Sequence, residues 1–175
     1  MPAERRTDPA YTDYLGFARR IGGLAAAHGS LEAWSIDNVF NDGALFTPAY
    51  LASITEAARK EGPELLFIPV VYYPNIGSPA FGERAAYFDG IQLYYTHFPE
   101  GGSDESAVLL PMLDDVRKSF GGLVILGIYA TPCSTSAAYV EQLINLAKEH
   151  TDGVMIYTMD QEGEKLEVIR KAFGG

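Results

Sequence analysis

The chain is short of cysteine and of long hydrophobic runs, and each shortage excludes a class of protein. Its single cysteine, Cys133, cannot form a disulfide within the chain, which is typical of a reducing compartment. No apolar run approaches the roughly 18 residues of a membrane-spanning helix, and no apolar stretch follows the arginines at the amino end. We therefore predict a soluble, cytoplasmic protein with no membrane partner and no secretory signal.

Positive charge is also scarce. The chain has 13 Lys and Arg against 23 Asp and Glu, a formal net charge of −10, and its cations are scattered along the sequence. Nucleic-acid affinity depends on clustered cations that face the phosphate backbone, so we expect no nucleic-acid partner.

No GxGxxG follows a predicted strand and the three histidines lack metal-binding spacing, so we expect no cofactor and no metal.

Hydrophobic residues, in contrast, are abundant. They make up 47% of the 175 residues, which is enough for a substantial core. This length is that of one domain, and the sequence contains no linker and no low-complexity stretch. We therefore predict a single domain over residues 1–175, in which residues 1–10 form a flexible amino terminus.

Five apolar segments have the length and composition of β-strands, and helical patterns lie between them. The predicted strands are 31–39, 65–73, 90–97, 123–130 and 153–159. Most are continuously apolar, which is typical of strands covered on both faces in a parallel sheet. One helix precedes the first strand and one follows each strand, the weakest lying near residues 80–87. This order of one helix and five βα units favours a parallel sheet with right-handed crossovers.

A short motif occurs twice and helps to choose the architecture. Asp89–Tyr94 (DGIQLY) returns as Asp152–Tyr157 (DGVMIY) 63 residues later, which is the length of two βα units. Alternate strands of a TIM barrel contribute to the same interior layers, so the repeat favours a barrel. Gln92 supports this choice, because a polar residue in mid-strand is satisfied more easily in a polar barrel mouth than beneath a helix. Pro69 cannot donate to a sheet and argues against a regular second strand.

Tyrosines and carboxylates follow the predicted strands at their carboxyl ends, where parallel βα folds form their sites. The candidates are Asp37, Asn38, Tyr72, Tyr73, Tyr94, Tyr95, His97, Glu100, Tyr129, Tyr157 and Asp160. Tyrosine rings stack on the C–H faces of sugars, while hydroxyl, amide and carboxylate groups bind sugar hydroxyls. Phosphorylated ligands need a glycine-rich loop at a helix start, which is missing here. The pattern is therefore typical of a carbohydrate site.

The motifs WSIDNVF, FTPAYL, ELLFIPVVYY, DGIQLYYTHF and DGVMIYTMD resemble the latter part of glycoside-hydrolase-like TIM-barrel proteins. The resemblance covers residues 13–173 and aligns the five strands with the last five of eight. It implies that Asp37 is a catalytic acid or base, although GIYATPCS lacks the partner carboxylate that many such enzymes carry on the seventh strand. An intact barrel needs about 200 to 250 residues. We therefore expect a truncated barrel, one half of an assembled barrel, or a smaller open sheet.

Two functions remain open. In the first, the protein is a glycosidase with Asp37 and Glu100 as the catalytic carboxylates, or with Asp160 as the second one. Glycosidases hold two carboxyls about 5–5.5 Å apart for retention and about 6.5–9.5 Å apart for inversion. In the second, the protein is a non-catalytic carbohydrate-binding remnant of such a barrel. The predicted substrate-binding residues are Asn38, Tyr73, Tyr94, Tyr95, His97, Tyr129, Tyr157 and Asp160.

Every candidate also has a structural explanation. Asp37 could cap a turn where its strand leaves the sheet, Glu100 could belong to a solvated turn, and Asp160 could cap a helix. The tyrosines could be core residues whose hydroxyls reach water. Trp34 alternates with Ser35 and Asp37, so it is expected in the core beneath the helices if Asp37 faces the site. Asp89 and Asp152 precede strands and are expected in structural turns.

The alternative fold is an open, flavodoxin-like doubly wound sheet, which five strands could also build. A five-stranded partial barrel would expose two edge strands and an uncovered inner face, both of which favour pairing. We therefore expect self-association through the open side of the partial barrel.

Overall fold

Helices and strands alternate along the chain, as the sequence predicts. The computed structural model describes residues 13–41, 43–97, 104–131, 135–157 and 163–174. Its helices are α1 (Tyr14–Ala27), α2 (Pro48–Glu61), α3 (Pro79–Ala85), α4 (Ser106–Ser119), α5 (Ala137–His150) and α6 (Glu164–Phe173), with a 3-10 turn at Tyr73–Asn75. Its strands are β1 (Ala33–Trp34), β2 (Leu66–Phe67), β3 (Val70–Tyr72), β4 (Gly90–Tyr95), β5 (Leu123–Tyr129) and β6 (Gly153–Tyr157).

The strands form two parallel sheets that further backbone hydrogen bonds connect. β1 pairs with β2, while β3, β4, β5 and β6 pair in chain order. Between the two sheets, Val70 N donates to Ile36 O and Gln92 N donates to Pro69 O. The segment 65–72 therefore lies between β1 and β4 as one strand, interrupted at Pro69, which has no N–H to donate. This is the irregularity that the proline predicts.

The strand order distinguishes between the two predicted folds. A flavodoxin-like sheet places its first strand between the second and the third. Here the second strand, formed by β2 and β3, lies between β1 and β4. The doubly wound alternative is therefore wrong. The structure is an α/β fold with parallel strands in chain order, and its described residues form no closed barrel, so the partial TIM barrel stays a prediction.

One face of the sheet packs against the helices. Successive strand residues point to opposite faces, so every second residue enters this layer. The strand residues in the core are Trp34, Ile36, Phe67, Val71, Ile91, Leu93, Tyr95, Val124, Leu126 and Ile128. They share one buried cluster with helix residues such as Leu51, Leu109 and Leu143. The core position predicted for Trp34 is confirmed, and the residues between these positions face the other way.

The repeated Asp-Gly motif has the same structural role at both of its positions. Asp89 accepts hydrogen bonds from Phe67 N, on the neighbouring strand, at 2.7 Å and from Arg59 of α2 at 2.6 Å. Asp152 accepts from Val124 N, again on the neighbouring strand, at 2.8 Å and from an arginine of α4 at 2.7 Å. Each carboxylate thus connects the start of its strand to the neighbouring strand and to the helix that precedes that neighbouring strand. The predicted structural role of both residues is confirmed.

Helices α1 and α2 approach closely at a glycine. Gly22 is buried, and a Cβ atom on it would lie 2.2 Å from the carbonyl oxygen of Ala58. The adjacent Gly23 has no atom within 4 Å of the position of its Cβ. The two neighbouring glycines therefore provide a matched pair, one at a helix contact and one in open space.

We expect Gly22→Ala to destabilise the protein by about 1–3 kcal/mol, because the new methyl group pushes α1 away from the backbone of α2. Gly23→Ala should raise the free energy of unfolding by about 0.5–1 kcal/mol, since alanine favours the helix over glycine and meets no neighbour. Urea unfolding followed by circular dichroism measures both changes. Equal effects of the two substitutions would contradict the packing of α1 on α2.

Candidate functional site

A cavity of about 460 Å³ lies on the sheet face that is turned away from the helices. Its lining residues come from the segment that follows β1 and from β3, β4, β5 and β6. They alternate with the core residues, so the period of two of a β-strand accounts for their common direction. They are Ser35, Asp37, Val70, Tyr72, Gln92, Tyr94, Tyr129, Met155 and Tyr157. Small-molecule sites have volumes of about 300–1,000 Å³, so the cavity is large enough for a ligand.

Four tyrosines from neighbouring strands form a tyrosine row along this cavity. Tyr72 is the register partner of Tyr94, and Tyr129 is the register partner of Tyr157. The ring centroids are 6.1 Å apart between Tyr72 and Tyr94, 5.0 Å between Tyr94 and Tyr129, and 5.6 Å between Tyr129 and Tyr157. Ring pairs at such distances contribute about 0.5–1.5 kcal/mol beyond the burial of their area. Contacts between the rings therefore stabilise the row, which forms an aromatic surface of the cavity.

A glycine in β5 allows the row to be continuous. Gly127 is the register partner of Tyr94, and a Cβ on it would lie 2.7 Å from Cδ2 of the Tyr94 ring. Any other residue would displace this ring. Because residue 127 has no side chain, the ring of Tyr94 lies across β5 and reaches Tyr129.

Two buried polar atoms of the cavity have no hydrogen-bond partner among the described residues. The Gln92 side chain is 9% exposed, and its Nε2 donates to the carbonyl oxygen of Ile68 at 3.1 Å. The Oε1 atom of Gln92 and the Oγ atom of Ser35 are both buried without a partner. Leaving such a group unsatisfied costs about 1–3 kcal/mol. A ligand that hydrogen-bonds to these atoms would recover that free energy.

Asp37 gives the cavity its charge. It is exposed, and it is the one carboxylate among the described lining residues. Burial, followed by the negative charge of Asp37, raises the pKa of Tyr94. Burial, the hydrogen bond to Tyr72 and then the surrounding charges raise the pKa of Tyr129. Both phenols therefore keep their protons at neutral pH, and the Tyr94 hydroxyl donates to Sδ of Met155 at 3.3 Å.

The structure brings part of the predicted site together. Asp37, Tyr94, Tyr129 and Tyr157 all line the cavity, at the carboxyl ends of their strands. Glu100 and Asp160 lie outside the described residues. Whether any of these residues binds or transforms a ligand stays a prediction.

Tyr95 and His97 face away from the cavity, because they alternate with Tyr94 along the chain. The hydroxyl of Tyr95, a residue that is 1% exposed, donates to Oε2 of Glu105 at 2.6 Å. Nδ1 of His97 lies 3.1 Å from the same oxygen, and Glu105 itself is fully buried. Burial and then the hydrogen bond to Glu105 raise the pKa of Tyr95. The Tyr139 hydroxyl donates to the carbonyl oxygen of His97, so the cluster connects the end of β4 to α4 and α5.

Tyr73 and Asn38 also lie away from the cavity lining. Tyr73 begins the 3-10 turn after β3, and its hydroxyl donates to Oδ2 of Asp115 in α4 at 3.1 Å. Asn38 has a positive φ of 61°, a backbone conformation that asparagine adopts more readily than most residues. Its Oδ1 accepts a hydrogen bond from Nδ2 of Asn41 at 2.8 Å, so the side chain stabilises the loop after β1.

Sequence reasoning missed some residues of the site and of its surroundings. Ser35, Val70 and Met155 line the cavity, and their alternation with core residues is the signal that could have found them. The buried Glu105 was missed because it stands in a polar stretch before α4. In that context a carboxylate is typical of a solvated helix start, so no local pattern indicates its burial.

The comparisons with known proteins identify no family. No protein-family model matches the chain, and no curated protein matches it. Within the described ranges, no helix is long and apolar enough to cross a membrane, and no cluster of His, Cys, Asp or Glu is arranged to hold a metal ion. The resemblance to glycoside-hydrolase-like barrels therefore stays a prediction that depends on the motifs alone.

We expect Tyr95→Phe to destabilise the protein by about 1–3 kcal/mol, because it removes a hydrogen bond to a fully buried carboxylate. Tyr73→Phe is the matched control, since it deletes the same kind of hydrogen bond to a solvent-exposed carboxylate and should leave the unfolding midpoint unchanged. Thermal and urea unfolding of both variants provide the comparison. Equal midpoints for the two variants would show that the hydrogen bond between Tyr95 and Glu105 does not stabilise the protein.

Proposed function

We propose that the protein binds a carbohydrate in the cavity of the sheet. The tyrosine row beside partnerless polar atoms carries this proposal, because sugars present both apolar C–H faces and hydroxyl groups. The tyrosine rings can stack on the C–H faces, whereas Asp37, Gln92 and Ser35 can hydrogen-bond to the hydroxyl groups. Ligand sites combine aromatic walls with a few placed polar groups in this way.

The polar groups have complementary roles in this proposal. The amide of Gln92 is fixed by its hydrogen bond to Ile68, so its Oε1 acceptor has a defined direction. Asp37 accepts hydrogen bonds at the exposed side of the cavity. A sugar with one face on the tyrosine row would place hydroxyl groups at its edge, within reach of both residues. Hydrogen bonds to the carboxylate are the stronger of the two kinds.

Glycoside hydrolysis is the second candidate function. Asp37 supports it, because this carboxylate lines the cavity at the carboxyl end of its strand, where the resemblance implies an acid or base. Hydrolysis needs a second carboxyl, and the described lining offers Asp37 alone. Glu100 and Asp160 remain the candidates for the second role. Binding without turnover therefore has the broader support.

We expect Tyr157→Ala to weaken carbohydrate binding about 2- to 12-fold, the range that corresponds to loss of one aromatic contact. Tyr157 suits this test because it is 47% exposed, so its removal leaves the core intact. Tyr73→Ala, outside the cavity, is the control and should not change affinity. Calorimetric titration with a panel of oligosaccharides measures binding, and a reducing-sugar assay on the same samples detects hydrolysis.

The outcomes separate the two functions. Binding without product supports a binding protein, whereas product that disappears in Asp37→Asn supports a glycosidase. Failure of every sugar to bind at millimolar concentration would contradict both functions.

Self-association through the open side, like the cytoplasmic location, stays a prediction. Met155 and Tyr157 of β6 are 38% and 47% exposed, so a contact on this face would bury them beside the cavity. We expect light scattering at micromolar concentration to show a dimer that Tyr157→Lys weakens, since a buried lysine charge without a partner is costly. A monomer under these conditions would contradict the prediction.

A further inference from the structure

The cavity has many hydrogen-bond acceptors and little that would attract an anion. Its described lining holds one carboxylate, Asp37, and no Lys, Arg or His. Such a site favours ligands that donate hydrogen bonds and carry positive charge.

We propose that the cavity selects a carbohydrate with a free amine, bound as an ammonium group beside Asp37, over neutral and acidic sugars. This inference rests on the proposed carbohydrate function and adds the substrate class. It follows from three properties of the lining, which are its acceptor atoms, its ring faces and its charge.

The acceptors are the first property. The Oε1 atom of Gln92 is buried without a partner among the described residues, and the hydrogen bond from its Nε2 to the carbonyl oxygen of Ile68 fixes the orientation of the amide. The hydroxyl proton of Tyr94 is engaged by Sδ of Met155, so the Tyr94 oxygen can act as an acceptor. An ammonium group has three donors and no acceptor, and it therefore matches this lining.

The ring faces are the second property. A cation over the face of an aromatic ring is attracted by the negative charge of the π system. Tyr72, Tyr94, Tyr129 and Tyr157 line one cavity together with Asp37. An amine-bearing sugar could place its ring on one tyrosine and its ammonium group between another tyrosine and the carboxylate. Neutral sugars would gain the stacking contact and the hydrogen bonds of their hydroxyl groups, but not the attraction between an ammonium group and the carboxylate.

The charge is the third property. Asp37 lines the same cavity as the four tyrosines of the row, and after the larger effect of burial its negative charge contributes to the raised pKa of Tyr94 and of Tyr129. The cation Lys165 donates from its Nζ to the carbonyl oxygen of Thr131 at 2.7 Å, and it is not among the described residues that line the cavity. The net charge of −10 adds a long-range attraction for cationic ligands.

The experiment compares tetrasaccharides of glucosamine, N-acetylglucosamine, glucose and galacturonic acid by calorimetric titration at about pH 6, where an amine of this kind carries its proton. We expect the glucosamine tetramer to bind about tenfold more tightly than either neutral tetramer, and the acidic tetramer to bind most weakly. The preference should decrease at high salt, because ions screen an exposed charge.

Two variants test whether Asp37 causes the preference for the glucosamine tetramer. Asp37→Asn should reduce it to about twofold or less, and it should weaken binding of the glucose tetramer less than binding of the glucosamine tetramer, because an amide oxygen still accepts hydrogen bonds from hydroxyl groups but has no charge. Asp115→Asn removes an exposed carboxylate away from the cavity and should leave the preference intact. A preference that survives Asp37→Asn would overturn the role of Asp37. Circular dichroism on both variants confirms that each measurement is made on folded protein.

The remaining outcomes distinguish this inference from the proposed function. Neutral tetramers that bind as tightly as the glucosamine tetramer would overturn the amine preference while the carbohydrate function stands. Absence of binding by all four tetramers would contradict the carbohydrate function, and the inference with it. Tetramethylammonium that binds as tightly as the glucosamine tetramer would show that the cavity recognises a cation without its sugar, which would also overturn the proposal.

Discussion

The alternation of side chains along parallel strands is the constraint on which the rest of this structure depends. Strands in chain order with right-handed crossovers place their helices on one side, so one half of the strand residues enters the core. The other half shares a face without a helical partner in the described core, where Gln92 and Tyr94 meet Asp37. The same periodicity that builds the core therefore also gathers the lining of the cavity, and no separate element is needed to form the site.

Much of the fold could be predicted because its signals are local. The five predicted strands all occur, Pro69 interrupts the second of them, and Trp34 enters the core. Continuous apolarity predicted that most strands are covered on both faces, but it does not indicate which layer covers the second face. A strand that has a buried core face and an aromatic cavity face has the same composition as a strand between two helical layers. Composition alone therefore could not distinguish the two arrangements.

The candidate site was predicted less completely, because the sequence places residues at a strand end without giving their direction. Tyr94 and Tyr95 are neighbours with identical side chains, yet the first faces the cavity and the second binds the buried Glu105. The direction of each tyrosine follows from its distance to Gln92 along the strand. Tyr94 is two residues from Gln92 and shares its face, whereas Tyr95 is three residues away and faces the core. Glu105 itself is buried by contacts between distant elements, which no local pattern encodes.

The two Asp-Gly motifs have a consequence for how this chain could change its ligand. Asp89 and Asp152 connect strand to strand and strand to helix at the amino ends of the strands, whereas Asp37 and the tyrosine row lie at the carboxyl ends. These two anchors and the recognition surface thus lie at opposite edges of the sheet, while the hydrogen bond between Tyr95 and Glu105 stabilises the carboxyl edge. Loops at the carboxyl ends of the strands could be exchanged, by evolution or in the laboratory, without breaking the hydrogen bonds of Asp89 and Asp152. The arrangement makes the chain a suitable framework for grafting new specificities.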